Sequence, residues 1–430
     1  MQASCGRAPD GGPERGNRLA AQGFLPYFFS LKTATPEATS IDAPATRATP
    51  HLGRLSLRNF RNFEGLEREF PASGVAIIGP NGSGKTNLLE AIYYLEVFRS
   101  FRGVADAELV RFGEDVFRIE GLVAGAETAV AAAYDRKRRI KKVEVEERPV
   151  ERVSEGIGTI GAAVFRLEDA EIVRGGPGER RRFLDVALSL TRPGYLGTLQ
   201  RYRALLSQRN EALKAGATGP ALDAWSEGLL EAGARITTSR ERWIAAGEER
   251  YAEYYRTISG GDRASMAYSA SIAGAAREAR ERVGSMDGEG RRAAWADRFR
   301  RALAASAERE RRRGMTVVGP HRDDVDFLVE AGEGPRDLRR YGSSGQQRTA
   351  ALALRLLEAD RLRERLAREP VYLLDDVFAE LDDARSRRLL ELFEKGRSGQ
   401  VILTAPKTGD VELRGGDLER WRIANGRVLS

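Results

Sequence analysis

Three stretches of this 430-residue chain carry residue types suited to handling phosphate. GPNGSGKT (Gly79–Thr86) satisfies the pattern G-x-x-x-x-G-K-S/T. Gly79, Gly82 and Gly84, with Pro80, Asn81 and Ser83 between them, let backbone N–H groups close around phosphates at a helix N-terminus. Lys85 is placed to reach the terminal phosphates, and the Thr86 hydroxyl to bind Mg²⁺. Some 290 residues downstream (roughly, by sequence distance), VYLLDD (Val371–Asp376) reads as a buried strand ending in carboxylates. There Asp375 would hold Mg²⁺ directly or through water, and Asp376 would orient or deprotonate an attacking water. The third stretch is YGSSGQQR (Tyr341–Arg348), in which Ser343, Ser344 and Gly345 precede a helix-like run whose positive end attracts an anion. ATP with Mg²⁺ is the ligand this set of residues points to.

These residues need a frame. GVAIIG is a short buried strand feeding the glycine loop, and TNLLEAIYYLEVF follows it with apolar residues at helical spacing. RLSLRNFRNFEGLEREF alternates like strands at a sheet edge, and FRIEGLVAG, TAVAAAYDRKRRIKKVEVEERPV and AAVFRLEDA read as further strands. Between residues 191 and 313 the pattern becomes long, charged and amphipathic, a helical lobe inserted between two parts of an α/β domain. At about 1.5 Å per residue its longest helix spans only around 50 Å, too short for a long coiled-coil arm. GMTVVGP is expected to return the chain to strand. The division is then 51–190 for the first part with the glycine loop, 191–313 for the helical lobe, and 314–430 for the second part. The fold class is α/β, a mixed sheet with a compact α-helical lobe.

Composition bounds the reading without deciding it. The chain is 41% hydrophobic and 31% charged, enough to bury a sizeable core. No run approaches 18 apolar residues, so no membrane span is expected. With Cys5 the only cysteine, no internal disulfide can form, which favours a reducing cytoplasm. The net charge of +7 permits a polyanionic partner, but arginine supplies nearly all of it, and the bias of a GC-rich genome would do the same. Residues 1–50, rich in Pro, Thr and Ala, read either as a disordered extension or as sequence upstream of a true start near Leu52.

SSGQQR before a helix and then an LLDD strand has the order of an ABC-type signature motif, and Ala379–Asp382 resembles the turn that lies across the nucleotide interface in such ATPases. In that architecture the signature loop reaches the phosphate in a partner's glycine loop, so two chains share two ATP molecules and Asp382 joins the nucleotide set. The motifs LRNFRNFEGLEREF, GPNGSGKTNLLEAIYYL, FRSFRG, GERRRFLDVALS, QRNEALK, GPHRDD, YGSSGQQR and LLDDVFAELD together resemble the RecF family of bacterial recombination mediators, from about Leu52 to Thr404. The resemblance implies an ABC-type P-loop ATPase head, related to SMC proteins, that dimerises on ATP and hydrolyses it weakly. It implies binding to single-stranded and gapped DNA, and a partnership with RecO and RecR in loading RecA.

Where transport ATPases place Glu after the Mg²⁺ aspartate, this chain has Asp376, and Thr404 stands where they carry His. Both departures point to slow hydrolysis and a switch rather than a pump. Leu167 replaces the proline usual in the family's F-x-P-E-D stretch. The rival readings are a transporter's ATPase subunit, against which the missing His and the NFRNF strand argue, and a DNA scaffold that holds ATP without hydrolysing it.

Other candidates leave two readings each. Arg61 in NFRNF could approach the nucleotide or pin a strand edge. His321, Arg322 and Asp323 are either functional or a hydrogen-bonded turn. The basic run DRKRRIKK (Asp135–Lys142) is a hairpin tip that either reaches DNA phosphates or is merely solvated. RRRF (Arg180–Phe183) and the arginines Arg311–Arg313 read more readily as charged helix faces. No base-reading motif is present, so DNA binding should follow shape and backbone and weaken steeply with salt.

Overall fold

The computed structural model describes residues 50–272, 287–332, 334–396, 399–407 and 418–429. The expectation for residues 1–50 falls outside them, save Pro50. All described residues belong to one compact unit, Arg47–Ser430.

The strands are β1 (His51–Phe60), β2 (Phe63–Glu69), β3 (Gly74–Ile78), β4 (Val116–Ala124), β5 (Thr128–Asp135), β6 (Ile140–Val145), β7 (Arg148–Pro149), β8 (Ala162–Arg166), β9 (Ala264–Ser269), β10 (Asp324–Ala331), β11 (Gly334–Asp337), β12 (Val371–Asp375), β13 (Val401–Ala405), β14 (Glu419–Ala424) and β15 (Arg427–Leu429). The helices are α1 (Lys85–Val97), α2 (Ala170–Arg174), α3 (Pro177–Thr191), α4 (Tyr195–Lys214), α5 (Pro220–Ser259), α6 (Gly288–Arg313), α7 (Leu338–Tyr341), α8 (Ser344–Leu366) and α9 (Asp383–Gly396).

One six-stranded sheet, ordered β2-β1-β4-β5-β6-β7, is antiparallel throughout. A second, β15-β14-β3-β13-β12-β8, is parallel except at the β14–β15 hairpin. Helix α1 lies between the two sheets. It is buried on nearly every side, with Leu88, Leu89, Ile92, Tyr94 and Leu95 fully buried among residues of both. Strands β3, β12 and β8 are buried at nearly every position, the mark of a parallel sheet covered on both faces.

On the other face of the parallel sheet α8 lies against β8 and Phe393 of α9 packs on Phe165 and Tyr372, and α3, α4 and α5 join the same core. Phe165, Tyr372 and Leu374 of the sheet share one core with Trp243, Tyr202 and Phe299 of the helices. The 40-residue α5 runs about 60 Å at the standard helical rise. Sharing a core fixes this lobe to the sheet.

Two local expectations fail for a physical reason. Thr316–Val318 of GMTVVGP is not a strand, because side chains take its ladder donors: Thr316 N donates to Asn210 Oδ1 (2.8 Å) and Val317 N to Glu310 Oε1 (3.0 Å). Conversely, the stretch between residues 191 and 313 contains β9, which pairs with β10. Its residues ASMAYS lack β-branched side chains, so the alternate burial of Ala264, Met266 and Tyr268 is the only signal it gives.

Candidate nucleotide site

The strand β3 ends at the buried Ile78, and the chain turns through Gly82 (φ 81°) and Gly84 (φ 115°) into α1. Only glycine adopts these values without strain. Gly84 occupies the N-cap with no side chain bonded to the helix end, which leaves the first-turn N–H groups of α1 available to an anion. A Cβ on Gly79 would lie 2.4 Å from Ile423 O, so this residue too is forced by close approach.

Lys85 is buried, and its ammonium donates to the carbonyls of Gly79 (2.8 Å) and Pro80 (3.3 Å). The charge is thus folded over the loop it would serve. The Ser83 hydroxyl is buried with no hydrogen-bond partner, an orphaned donor inside the cradle. Orphaned polar groups of this kind mark places where a ligand completes the bonding. The residues present therefore fit a bound nucleotide phosphate.

Strand order brings the aspartates alongside. β12 is separated from β3 only by β13, so Asp375 at the end of β12 lies beside the start of α1, and Thr86 Oγ1 donates to Asp375 Oδ1 at 2.9 Å. Ligands bind at the carboxyl ends of strands in open α/β sheets, and this is that edge. Burial pushes the Asp375 carboxyl up to about 6, against the opposing hydrogen bonds from Thr86 and Thr404. A cation of the Mg²⁺ type would relieve that burial cost, and Thr86 and Asp375 are the oxygen donors that would hold it.

Asp376 sits half-buried with φ 47°, an unfavourable conformation for a residue with a Cβ. Thr404 on β13 holds it there: the backbone N–H of Asp376 donates to Thr404 Oγ1 (2.9 Å), and that hydroxyl lies 3.0 Å from Asp375 Oδ1 and 3.2 Å from Asp376 Oδ1. Thr404, noted in the sequence for what it replaces, is therefore the residue that aligns the two carboxylates.

The signature stretch is built differently. Ser343 is the N-cap of α8, its hydroxyl accepting from Gln346 N (3.2 Å) while the Gln346 side chain accepts from Ser343 N (2.9 Å), a reciprocal capping box. Ser343 and Ser344 are exposed. The Gly345 position abuts Arg385, whose guanidinium would lie 2.4 Å from an added Cβ. Arg348 donates to Glu380 O (2.9 Å) and pairs with the Glu380 carboxylate, tying α8 to the Ala379–Asp382 turn. Asp382 itself caps α9, accepting from Arg385 N (2.8 Å). Among the described residues no hydrogen bond or ion pair joins Ser343, Ser344, Gly345 or Asp382 to Gly79–Thr86.

Some supporting residues carried only faint signals in the sequence. Asn62 Nδ2 donates to Ser83 O (3.1 Å) and Gly426 N to the same oxygen (3.0 Å), so the β1–β2 turn and the β14–β15 turn both clasp the glycine loop. Asn425-Gly426, with φ 49° and 71°, is the Asn-Gly hairpin signal that could have flagged the second of these. Glu90, fully buried on α1, takes both oxygens to Arg61 (2.9 and 3.0 Å) and also accepts from Ser100. An acid inside LLEAIYYLE was its signal. Arg61 therefore pins the β1–β2 turn to α1.

The remaining candidates resolve as follows. Asp323 is fully buried, accepting from Tyr268 and from Ser271 N (2.7 Å). His321 bonds Tyr202 (2.7 Å) and Thr316 O (3.1 Å), and burial lowers its pKa to about 4. This is the hydrogen-bonded turn, joining α4, β9 and the segment that follows α6. Arg180 is buried against Asp324 (2.5 and 3.0 Å). The basic run does form a hairpin tip between β5 and β6, but Lys137 pairs with Asp115 (2.6 Å) and Lys141 with Asp106 (2.7 Å). No helix among the described residues is long and apolar enough to cross a membrane.

Comparison with known proteins gives the family and the fold. The family model described as RecF/RecN/SMC N terminal domain matches residues 51–414. The chain is 35% identical to the DNA replication and repair protein RecF of Geotalea uraniireducens over 382 residues, 88% of this chain and 99% of that one. With the Bacillus subtilis protein of the same name it shares 33% over 398 residues, 88% of this chain and 100% of the other. Its fold is similar to a solved structure of the recombination mediator protein RecF-ATP in the RecFOR pathway, with a TM-score of 0.77 at 31% identity over 90% of this chain and 99% of that one. An ABC-type ATPase head with its phosphate loop and aspartates assembled, this chain belongs to the RecF family.

Proposed function

We propose that the chain is an ATP-dependent DNA-binding protein of recombinational repair and replication. It works in the cytoplasm at single-strand gaps and single–double-strand junctions, where it helps RecO and RecR load RecA. ATP drives its dimerisation. Each glycine loop takes the phosphates of one ATP, and Ser343, Ser344 and Gly345 of the other chain close the site.

One observation carries this reading: the signature start is bound to the Ala379–Asp382 turn and exposed, while the cradle it resembles a lid for is made by other elements. The name of the solved relative, RecF-ATP, supports the choice of nucleotide. In the site, Lys85 leaves its carbonyls for the terminal phosphates, and Thr404 keeps Asp376 aimed at the attacking water. Thr86 and Asp375 would hold Mg²⁺, which would supply charge neutralisation. Asp376 has a shorter reach than Glu, which makes hydrolysis slow and suits a switch. DNA is held through its backbone, so binding falls steeply with salt.

Sedimentation on gapped duplex DNA with ATP or ADP tests it. A dimer with ATP alone is expected; a monomer with both nucleotides overturns the dimer. Turnover that does not change on adding gapped DNA would sink the DNA-linked switch.

A further inference from the structure

Away from the nucleotide site, the helical lobe has a cleft of about 440 Å³ where the α3–α4 junction, α5 and the start of α6 meet. That volume falls in the range of small-ligand sites. Four arginines line it: Arg192, Arg235, Arg242 and Arg292. Among the described residues only Arg235 has an ion-pair partner, Glu231 at 3.1 Å. Glu289 is the one carboxylate on the wall, so positive charge is in clear excess. Arg192 and Arg242 are close enough that their mutual repulsion, with burial as the larger cause, lowers the pKa of Arg192. Holding like charges together costs free energy that a bound anion would offset.

Two further features lie at the wall of the cleft. Gly194 (φ 78°) is the N-cap of the 20-residue α4 with no side-chain cap; the Tyr195 N–H bonds Arg192 O (3.2 Å), which leaves those of Leu196 and Gly197 for an anion. Thr238 on α5 is 5% exposed and lines the cleft, and its hydroxyl is buried with no hydrogen-bond partner. Unpartnered buried hydroxyls are uncommon, and a ligand oxygen is one partner that would satisfy this one. The one aromatic on the wall, Tyr195, is itself buried with its hydroxyl committed to Asp185 (2.7 Å). No ring is offered for a base to stack on.

We propose that this cleft is a second anion site, separate from the ATP cradle, which binds a multiply charged phosphate group. Arg192, Arg242 and Arg292 supply the charge, the start of α4 supplies backbone donors, and Thr238 supplies the hydroxyl. A terminal phosphate or pyrophosphate suits several guanidinium groups better than the single charge of an internal phosphodiester. Free pyrophosphate and the phosphorylated end of a nucleic-acid strand share this chemistry.

Calorimetric titration of the full chain tests it, with Lys85→Ala in every sample to silence the ATP cradle. Inorganic pyrophosphate is one ligand; a short single strand with and without a 5′-phosphate is the other. Binding of pyrophosphate, or of the phosphorylated strand over the unphosphorylated one, supports the site and tells the two sources apart. Adding Arg192→Ala with Arg242→Ala should weaken that binding at least about tenfold, since two charge-assisted contacts go. Thr238→Val should weaken it a few-fold and Thr238→Ser should restore it. No binding of either ligand, or binding unchanged by the arginine pair, overturns the proposal.

Discussion

The two phosphate loops of this chain are built to opposite plans. Gly79–Thr86 is clasped from every side: Asn62 and Gly426 hold Ser83 O, Lys85 is folded onto the loop carbonyls, and Thr86 is bonded to Asp375. Ser343 and Ser344 are exposed and satisfied by their own capping box, and beside them Gln347 and Arg348 anchor α8 to Leu338 and to the Ala379–Asp382 turn. A complete cradle has long-range partners, whereas a half-site has local ones and presents its free face outward. The difference supports the proposal that the second loop is finished by a partner chain.

Four substitutions sharpen that contrast, and the largest effect belongs to the cradle. Lys85→Ala removes the charge meant for the terminal phosphates, and steady-state assays should show turnover down roughly 10²–10³-fold with the fold intact by circular dichroism. Next comes the clasp. Arg61→Ala leaves Glu90 buried beside only Ser100 and the distant Arg102 (4.0 Å), and urea unfolding should show a loss of about 3 kcal/mol.

Glu96 gives a smaller, pH-dependent effect on the same helix. Burial pushes its carboxyl up to about 7, one oxygen accepts from Gly161 N (2.7 Å), and the other has no partner. A carboxyl whose folded value is raised above its unfolded value of 4.5 favours the folded state at low pH. That contribution fades as pH climbs from about 4.5 to about 7, so Glu96→Gln should flatten the decline and stabilise the protein at pH 8 by about 2 kcal/mol. Denaturation midpoints at pH 5 and pH 8 check it. Smallest is the half-site: Ser343→Ala removes a cap worth about 1 kcal/mol, seen as a slight fall in melting temperature. A large loss there would mean the signature loop is tied into the core after all.

What the sequence made legible follows the same division. The glycine loop, the LLDD strand and the Ser-Gly cap are each specified by adjacent residues, so local chemistry was enough to read them. The Asn62–Ser83–Gly426 clasp and the Arg61–Glu90 pair join residues far apart, so Asn425-Gly426 marks only a hairpin and Glu90 only an acid in an apolar run, and neither names its partner. Strand β9 is hidden because Ala and Ser carry no strand preference, and Thr316–Val318 reads as a strand because its hydrogen-bond partners, the side chains of Asn210 and Glu310, lie outside it. The basic hairpin was legible as a hairpin, but its charge was not, because Asp106 and Asp115 come from outside it.

The most direct test mixes two damaged chains. Lys85→Ala breaks the cradle and Ser344→Arg blocks the exposed half-site, so either variant alone should stay monomeric with ATP on gapped duplex. If the sites form across chains, a pair made of one of each concentrates both lesions in one site and leaves the other whole. With one variant fluorescently labelled, sedimentation of the mixture should then show ATP-dependent dimers containing both chains. A mixture as monomeric as its parents, or a Ser344→Arg chain that dimerises unaided, would contradict the account.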